Sequence, residues 1–107
     1  MSLTNDTTKF HSYGIVYDGN QTGNANRLRL IYDGTQQSLT FTGTIPANTG
    51  AENYMFFGGD NRSGGSGGAL GGTFMDGYIG EVMIWTRALT SAELINVNGY
   101  LTTKWNV

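Results

Sequence analysis

Between residues 27 and 43 the chain reads "RLRLIYDGTQQSLTFTG", and no other stretch restricts its folding so tightly. Leu28, Leu30 and Tyr32 recur at every second position before Asp33-Gly34, and Leu39 and Phe41 share a parity after it. A period of two puts such residues on one face of a pleated strand, and Asp-Gly accepts the positive φ angles of a two-residue hairpin turn. Two antiparallel strands around a tight turn are expected. A chain committed to this hairpin must also find cover for the apolar face it creates.

The flanking segments continue the pattern. "FHSYGIVY", residues 10–17, alternates, with Tyr13, Ile15 and Tyr17 on one face and Ser12, Gly14 and Val16 on the other. "DGNQTGNAN", residues 18–26, reads as a loop of turn formers, and "TIPANTGAE", residues 44–52, as a second. "NYMFFGG", residues 53–59, is a short strand with aromatics on both faces. "GGDNRSGGSGGALGG", residues 58–72, is nearly free of side chains and reads as a surface loop. A last strand over residues 78–85 carries Ile79, Met83 and Trp85 on one parity and Val82 and Ile84 on the other, so it is either bulged or central and covered on both sides.

Thr90 and Glu93 then have capping-box spacing, which starts a helix. Leu94, Val97 and Leu101 form its apolar stripe, with Asn98 and Thr102 turned away, and Gly99 weakens its second half. The expectation is five or six strands followed by one short helix. Residues 10–107 make a single β domain behind a disordered or extended segment, residues 1–9, whose Met1-Ser2-Leu3 reads as a cloning remnant.

Composition narrows the function classes. Of the 107 residues only 13% are charged and the net charge is −2, which argues against nucleic acid, whose phosphates demand Lys and Arg. Asn, Thr, Ser and Gly do the solvating, a tendency of extracellular and particle-surface β proteins. There is no cysteine, so disulfide frameworks and thiolate metal sites drop out. No apolar run approaches the roughly 20 residues of a membrane span, and no secretory leader is recognised.

Catalytic motifs fare poorly. "GGSGG" satisfies the G-x-S-x-G pattern around Ser66, but that elbow needs a preceding strand and a following helix, and glycines flank it. The loop also lacks the Gly-Lys-Ser/Thr ending of a P-loop. His11 is the only histidine, which excludes multi-histidine metal sites and suits a hydrogen-bonded sheet residue. "DGNQTG" loosely follows an EF-hand opening, yet its twelfth position is Arg29 where a bidentate Glu is required. No cofactor is called for; calcium is the one ion for which the loops offer donors, at Asp18, Asn20, Asp60 and Asn61, with Asp18 and Asn20 put forward as ligands. Asn5, Asn20 and Asn61 lie in N-x-[ST] sequons, a frequent accident in an Asn- and Thr-rich chain.

Sugar recognition needs an aromatic plate against a pyranose face and a few fixed polar groups. Trp85, Tyr54 and Tyr17 are the plates put forward here, with Asp60 and Asn61 as polar partners; Tyr13 and Tyr78 are further candidates. For each aromatic, packing in the core is the competing role.

The ending, "FMDGYIGEVMIWTRALTSAELINVNGYLTTKW", resembles the closing segment of concanavalin A-like lectin/glucanase modules of the laminin G-like type. Gly77, Ile79, Glu81, Val82 and Ile84 match a final strand of the form G-x-I-x-E-V-x-I, and Arg87, Ala88, Leu89, Thr90 and Glu93 match the following R-A-L-[ST]-x-x-E. Upstream, "YGIVYDG", "NRLRLIYDG" and "TGTIPANTG" are similar to the family's preceding strands and turns. The resemblance implies an all-β, antiparallel jelly-roll-like sandwich with a short C-terminal helix. It also implies an incomplete one, because the strands that normally come first are not matched.

A chain so built keeps exposed edges and apolar surface, so a homodimer completing the sandwich is expected, against the alternative of a compact monomer with fewer strands. Related glucanases place carboxylates two or more residues apart on one strand face. Here Glu81 stands alone on its strand and reads as a partner for Arg87 or for backbone N–H groups. The resemblance thus implies a non-catalytic binding module, for carbohydrate, on an extracellular or surface protein. The alternative is a structural or self-assembly module of a surface or virion protein with no small ligand.

Overall fold

The computed structural model describes residues 8–50, 57 and 77–107. It divides into two compact units, Met1–Asn48 with Met83–Val107, and Thr49–Val82. All the regular elements described belong to the first. They are β1 (Tyr13–Tyr17), α1 (Asn24–Arg27), β2 (Leu28–Tyr32), β3 (Thr35–Gln37) and α2 (Ser91–Trp105).

The hairpin forms where Asp33-Gly34 places it. Both turn residues have positive φ, 45° and 74°, the signature of a type I′ turn, and Tyr32 pairs with Thr35 across it. β1 joins the other side of β2, giving an antiparallel sheet in the order β1-β2-β3. In that register Tyr13, Ile15 and Tyr17 oppose Tyr32, Leu30 and Leu28, so these six residues share a face, as the alternation predicts. Val16 and Arg29 lie on the other.

The two faces differ in cover. Val16 is 7% exposed, as is Leu89 in the approach to α2, and the Arg29 guanidinium donates to the Leu89 carbonyl at 3.5 Å. On the opposite face Ile15 is 73% exposed and Tyr13 55%. The buried core of the described residues is therefore small and one-sided.

α2 starts as its capping box requires. Thr90 Oγ1 accepts the Glu93 N–H at 3.3 Å, and Glu93 Oε2 accepts the Thr90 N–H at 2.9 Å. The helix runs through Gly99 to Trp105, longer than the interior glycine suggests, and closes on Asn106 in the left-handed region. Leu94, Val97 and Leu101 are half-buried, and the stripe extends to Trp105, whose ring lies 5.0 Å from that of Phe10. Asn98 is not turned away. It is half-buried against the hairpin turn, and a Cβ at Gly34 would overlap its amide.

Several expected boundaries move. The strand expected over residues 10–17 begins at Tyr13, and the run expected as a loop over residues 18–26 contains the start of α1. The strand after the turn stops at Gln37 and does not reach Leu39 or Phe41. The reason is local. Leu28 is the next β2 residue whose backbone faces β3, and its N–H is already donated to the Asn24 carbonyl at the end of α1. No strand forms over residues 78–85, where Tyr78, Ile79, Val82, Ile84 and Trp85 are exposed, so the segment is neither bulged into a ladder nor covered on both sides. The expected strand over residues 53–59 and the loop over residues 58–72 lie outside the described residues, Phe57 excepted. Five or six strands thus become three among the described residues, and the two-sheet sandwich goes beyond them.

Candidate functional site

The early end of β3 opens a groove. Past the last β2–β3 pair, Leu30 with Gln37, the chain peels away, leaving a space of about 330 Å³ lined by Ala25, Leu28, Arg29, Gln36, Gln37, Ser38, Leu39 and Phe41. The lining combines one aromatic ring, two amides, a hydroxyl and a guanidinium. A smaller depression of about 230 Å³, lined by Asp18, Gln21, Asn26 and Arg29, shares Arg29 with it.

The wall beside the groove is held by side chains from α1. Asn24 donates from Nδ2 to the Gly43 carbonyl at 2.7 Å and accepts the Ile45 N–H at 2.8 Å, so one amide bridges two backbone groups of the following loop. Arg27 donates to the Ile45 carbonyl at 2.8 Å and to Gln21 O at 2.7 Å. The Tyr17 hydroxyl donates to the Pro46 carbonyl at 2.8 Å. Gly19 fits because it has no side chain; a Cβ there would overlap the Ala47 carbonyl oxygen. "NANR", four residues and far too short to hold as an isolated helix, is thus fixed by long-range hydrogen bonds and not by apolar periodicity.

Of the proposed ligand residues, Tyr17 stands at the end of β1 with its hydroxyl committed to Pro46, and Trp85 is 44% exposed ahead of α2. The aromatic ring contacts of the described residues include neither of them, so no shared plate forms. Tyr54, Asp60 and Asn61 lie outside the described residues, as does Ser66. Asp18 lines the smaller depression, but its Oδ1 accepts the Asn20 N–H and its Oδ2 accepts the Gln21 amide, both at 3.1 Å. Among the described residues no group of three or more acidic or histidine side chains is placed to hold a metal ion.

His11 is hydrogen-bonded as expected, though just ahead of β1 and not within it. Its Nδ1 lies 2.7 Å from Asp33 Oδ2 and 2.9 Å from the Tyr32 hydroxyl, and Asp33 Oδ1 accepts the Ser12 N–H at 2.8 Å. The cluster ties the entry of β1 to the hairpin turn. Arg87 is engaged by Glu93, with Nη1 to Oε2 at 2.9 Å. The hydrogen bond from Arg87, then those from the Thr90 backbone and hydroxyl, hold the Glu93 carboxyl at about 2, while Glu93 pushes the Arg87 guanidinium further up.

The sequence pattern passed over Arg29, Gln36, Gln37 and Phe41 as ligand residues. Arg29 carried the usable signal, a cation set between Leu28 and Leu30 on a strand, where a charge needs a partner or an opening to water. No helix among the described residues is long and apolar enough to cross a membrane. A laminin G-type family model, described as the concanavalin A-like lectin/glucanases superfamily, matches residues 2–95. No curated protein and no solved structure matches the chain.

Proposed function

Because the chain belongs to the concanavalin A-like lectin/glucanase superfamily, we propose that it is a non-catalytic binding module that recognises carbohydrate on an extracellular or surface protein, built on the family's two-sheet sandwich. The carrying observation is the groove at the end of β3, where the Phe41 ring lies among Gln36, Gln37, Ser38 and Arg29. An apolar plate in the company of amides, a hydroxyl and one guanidinium is chemistry that suits a pyranose. Hydrolysis would need two carboxylates about 5 Å apart, or about 6.5–9.5 Å apart with a water between them. Among the described residues the groove lining contains none.

A glycan array run on the wild type, Phe41→Ala and Trp85→Ala tests this. Binding that falls about tenfold or more with Phe41→Ala and survives Trp85→Ala supports the groove; tenfold corresponds to about 1.4 kcal/mol. Binding lost only with Trp85→Ala moves the site, and silence across the array removes the carbohydrate reading.

A second reading, self-assembly, is favoured by a different observation. The face bearing Tyr13 and Ile15 is apolar and exposed, whereas in a sandwich such a face meets a second sheet. A second copy of the chain can supply that cover.

A further inference from the structure

Among the described residues no strand pairs with the outer edge of β1. Asp18 N–H donates to the Arg27 carbonyl and Asp33 N–H to the Ser12 carbonyl. With the β1–β2 register, these bonds turn the backbone groups of Ser12, Gly14, Val16 and Asp18 toward β2. Those of Tyr13, Ile15 and Tyr17 therefore point outward. None of the three has a backbone hydrogen bond on that side. The other edge of the sheet, β3, is blunted by being only three residues long and polar, Thr35–Gln37. β1 carries no such protection: "YGIVY" has no charge, no proline and no bulge.

The geometry points to this edge as a pairing surface for a second copy of the chain, the two β1 strands running antiparallel about a twofold axis at Ile15. The inference rests on the self-assembly reading in its need for a second copy, but it places the contact at the β1 edge and not over the face of Tyr13 and Ile15, and it adds the register. The outward groups fall at three alternate residues, so the twofold brings Tyr13 opposite the partner's Tyr17, Ile15 opposite the partner's Ile15 and Tyr17 opposite the partner's Tyr13. Each such pair exchanges two backbone bonds.

The strand reads nearly the same in both directions about Ile15. Aromatic therefore meets aromatic and aliphatic meets aliphatic, while Gly14 leaves room for the partner's Val16 on the other face. Because the strand is uncharged, self-pairing opposes no like charges, and the result is a continuous six-stranded sheet. Two five-residue edges bury less than the roughly 1,200–2,000 Å² of stable interfaces. The dimer is therefore reversible and concentration-dependent.

Sedimentation velocity on the full chain, from low micromolar to near-millimolar concentration, tests it with two variants. Ile15→Lys sets two ammonium groups opposite one another at the axis and is expected to raise the dimer dissociation constant about 100-fold. The side chain faces solvent, so circular dichroism stays unchanged. Ile15→Cys is expected to form a disulfide-linked dimer on mild oxidation. The chain has no other cysteine, and directly opposed, hydrogen-bonded residues have Cα atoms about 5.5 Å apart, within disulfide reach. Gln36→Cys, on β3, is expected to stay monomeric. Association that is indifferent to Ile15→Lys, or cross-linking through Gln36→Cys as fast as through Ile15→Cys, overturns the β1 register while leaving self-assembly standing. A chain that is monomeric throughout, with no cross-link from Ile15→Cys, overturns both.

Discussion

The same substitution, glycine to alanine, is expected to act with opposite sign at two positions of the first unit. Gly34 sits at φ 74° in the hairpin turn, and a Cβ there would overlap the Asn98 amide of α2. A left-handed conformation costs an L-residue about 1–2 kcal/mol. Displacing the amide adds about 1 kcal/mol, the low end of overpacking costs because the side chain can rotate. Stiffening of the unfolded chain offsets about 0.5–1 kcal/mol. The net loss is about 1–2.5 kcal/mol, a fall of roughly 5–15 °C in Tm for a chain of this size. Gly99 lies in the interior of α2, where a Cβ meets nothing within 4 Å, so Gly99→Ala is expected to stabilise by about 0.5–1 kcal/mol. Urea unfolding followed by circular dichroism measures both. Adding Asn98→Ala to Gly34→Ala isolates the contact, with an expected coupling of about 1 kcal/mol. A Gly34→Ala loss under about 0.5 kcal/mol, or zero coupling to Asn98, would refute the docking of α2 on the hairpin turn.

Three further outcomes follow from the helix entry and the small core. Thr90→Ala removes the N-cap acceptor and is expected to cost about 1 kcal/mol, read as a lower midpoint in the same urea titration. The Glu93 carboxyl is lowered from 4.5 to about 2 in the folded chain. Its contribution is therefore complete above the unfolded value and is lost as pH falls from about 4.5 toward 2. The stability gap between wild type and Glu93→Gln is expected to close across that window, and a gap constant with pH contradicts the pairing with Arg87. Leu89→Ala, at a residue 7% exposed, is expected to cost about 2–5 kcal/mol and to lower the thermal midpoint accordingly.

The local grammar of the chain was legible. Asp33-Gly34 specified its turn, the alternation of "YGIVY" and "RLRLIY" specified which residues share a face, and Thr90 with Glu93 specified where α2 begins. These features depend on residues within four positions of one another. What sequence did not disclose depends on distant partners. α1 exists because Asn24 and Arg27 reach the loop after β3. β3 stops early because α1 takes the Leu28 N–H. The groove is a consequence of both, so Gln37 and Phe41 carried no sign of it in their own neighbourhood. Residues 78–85 show the converse. Their β-forming composition suits a strand, but composition supplies no neighbour to pair with.

Carbohydrate recognition at the groove is tested most directly by a ¹H–¹⁵N titration of the full chain with whichever oligosaccharide the array selects. Saturable shifts concentrated at Arg29, Gln36, Gln37, Ser38 and Phe41, and abolished by Phe41→Ala, are the predicted result. Shifts that gather around Trp85 instead, or none at ligand concentrations that saturate the array, would contradict it.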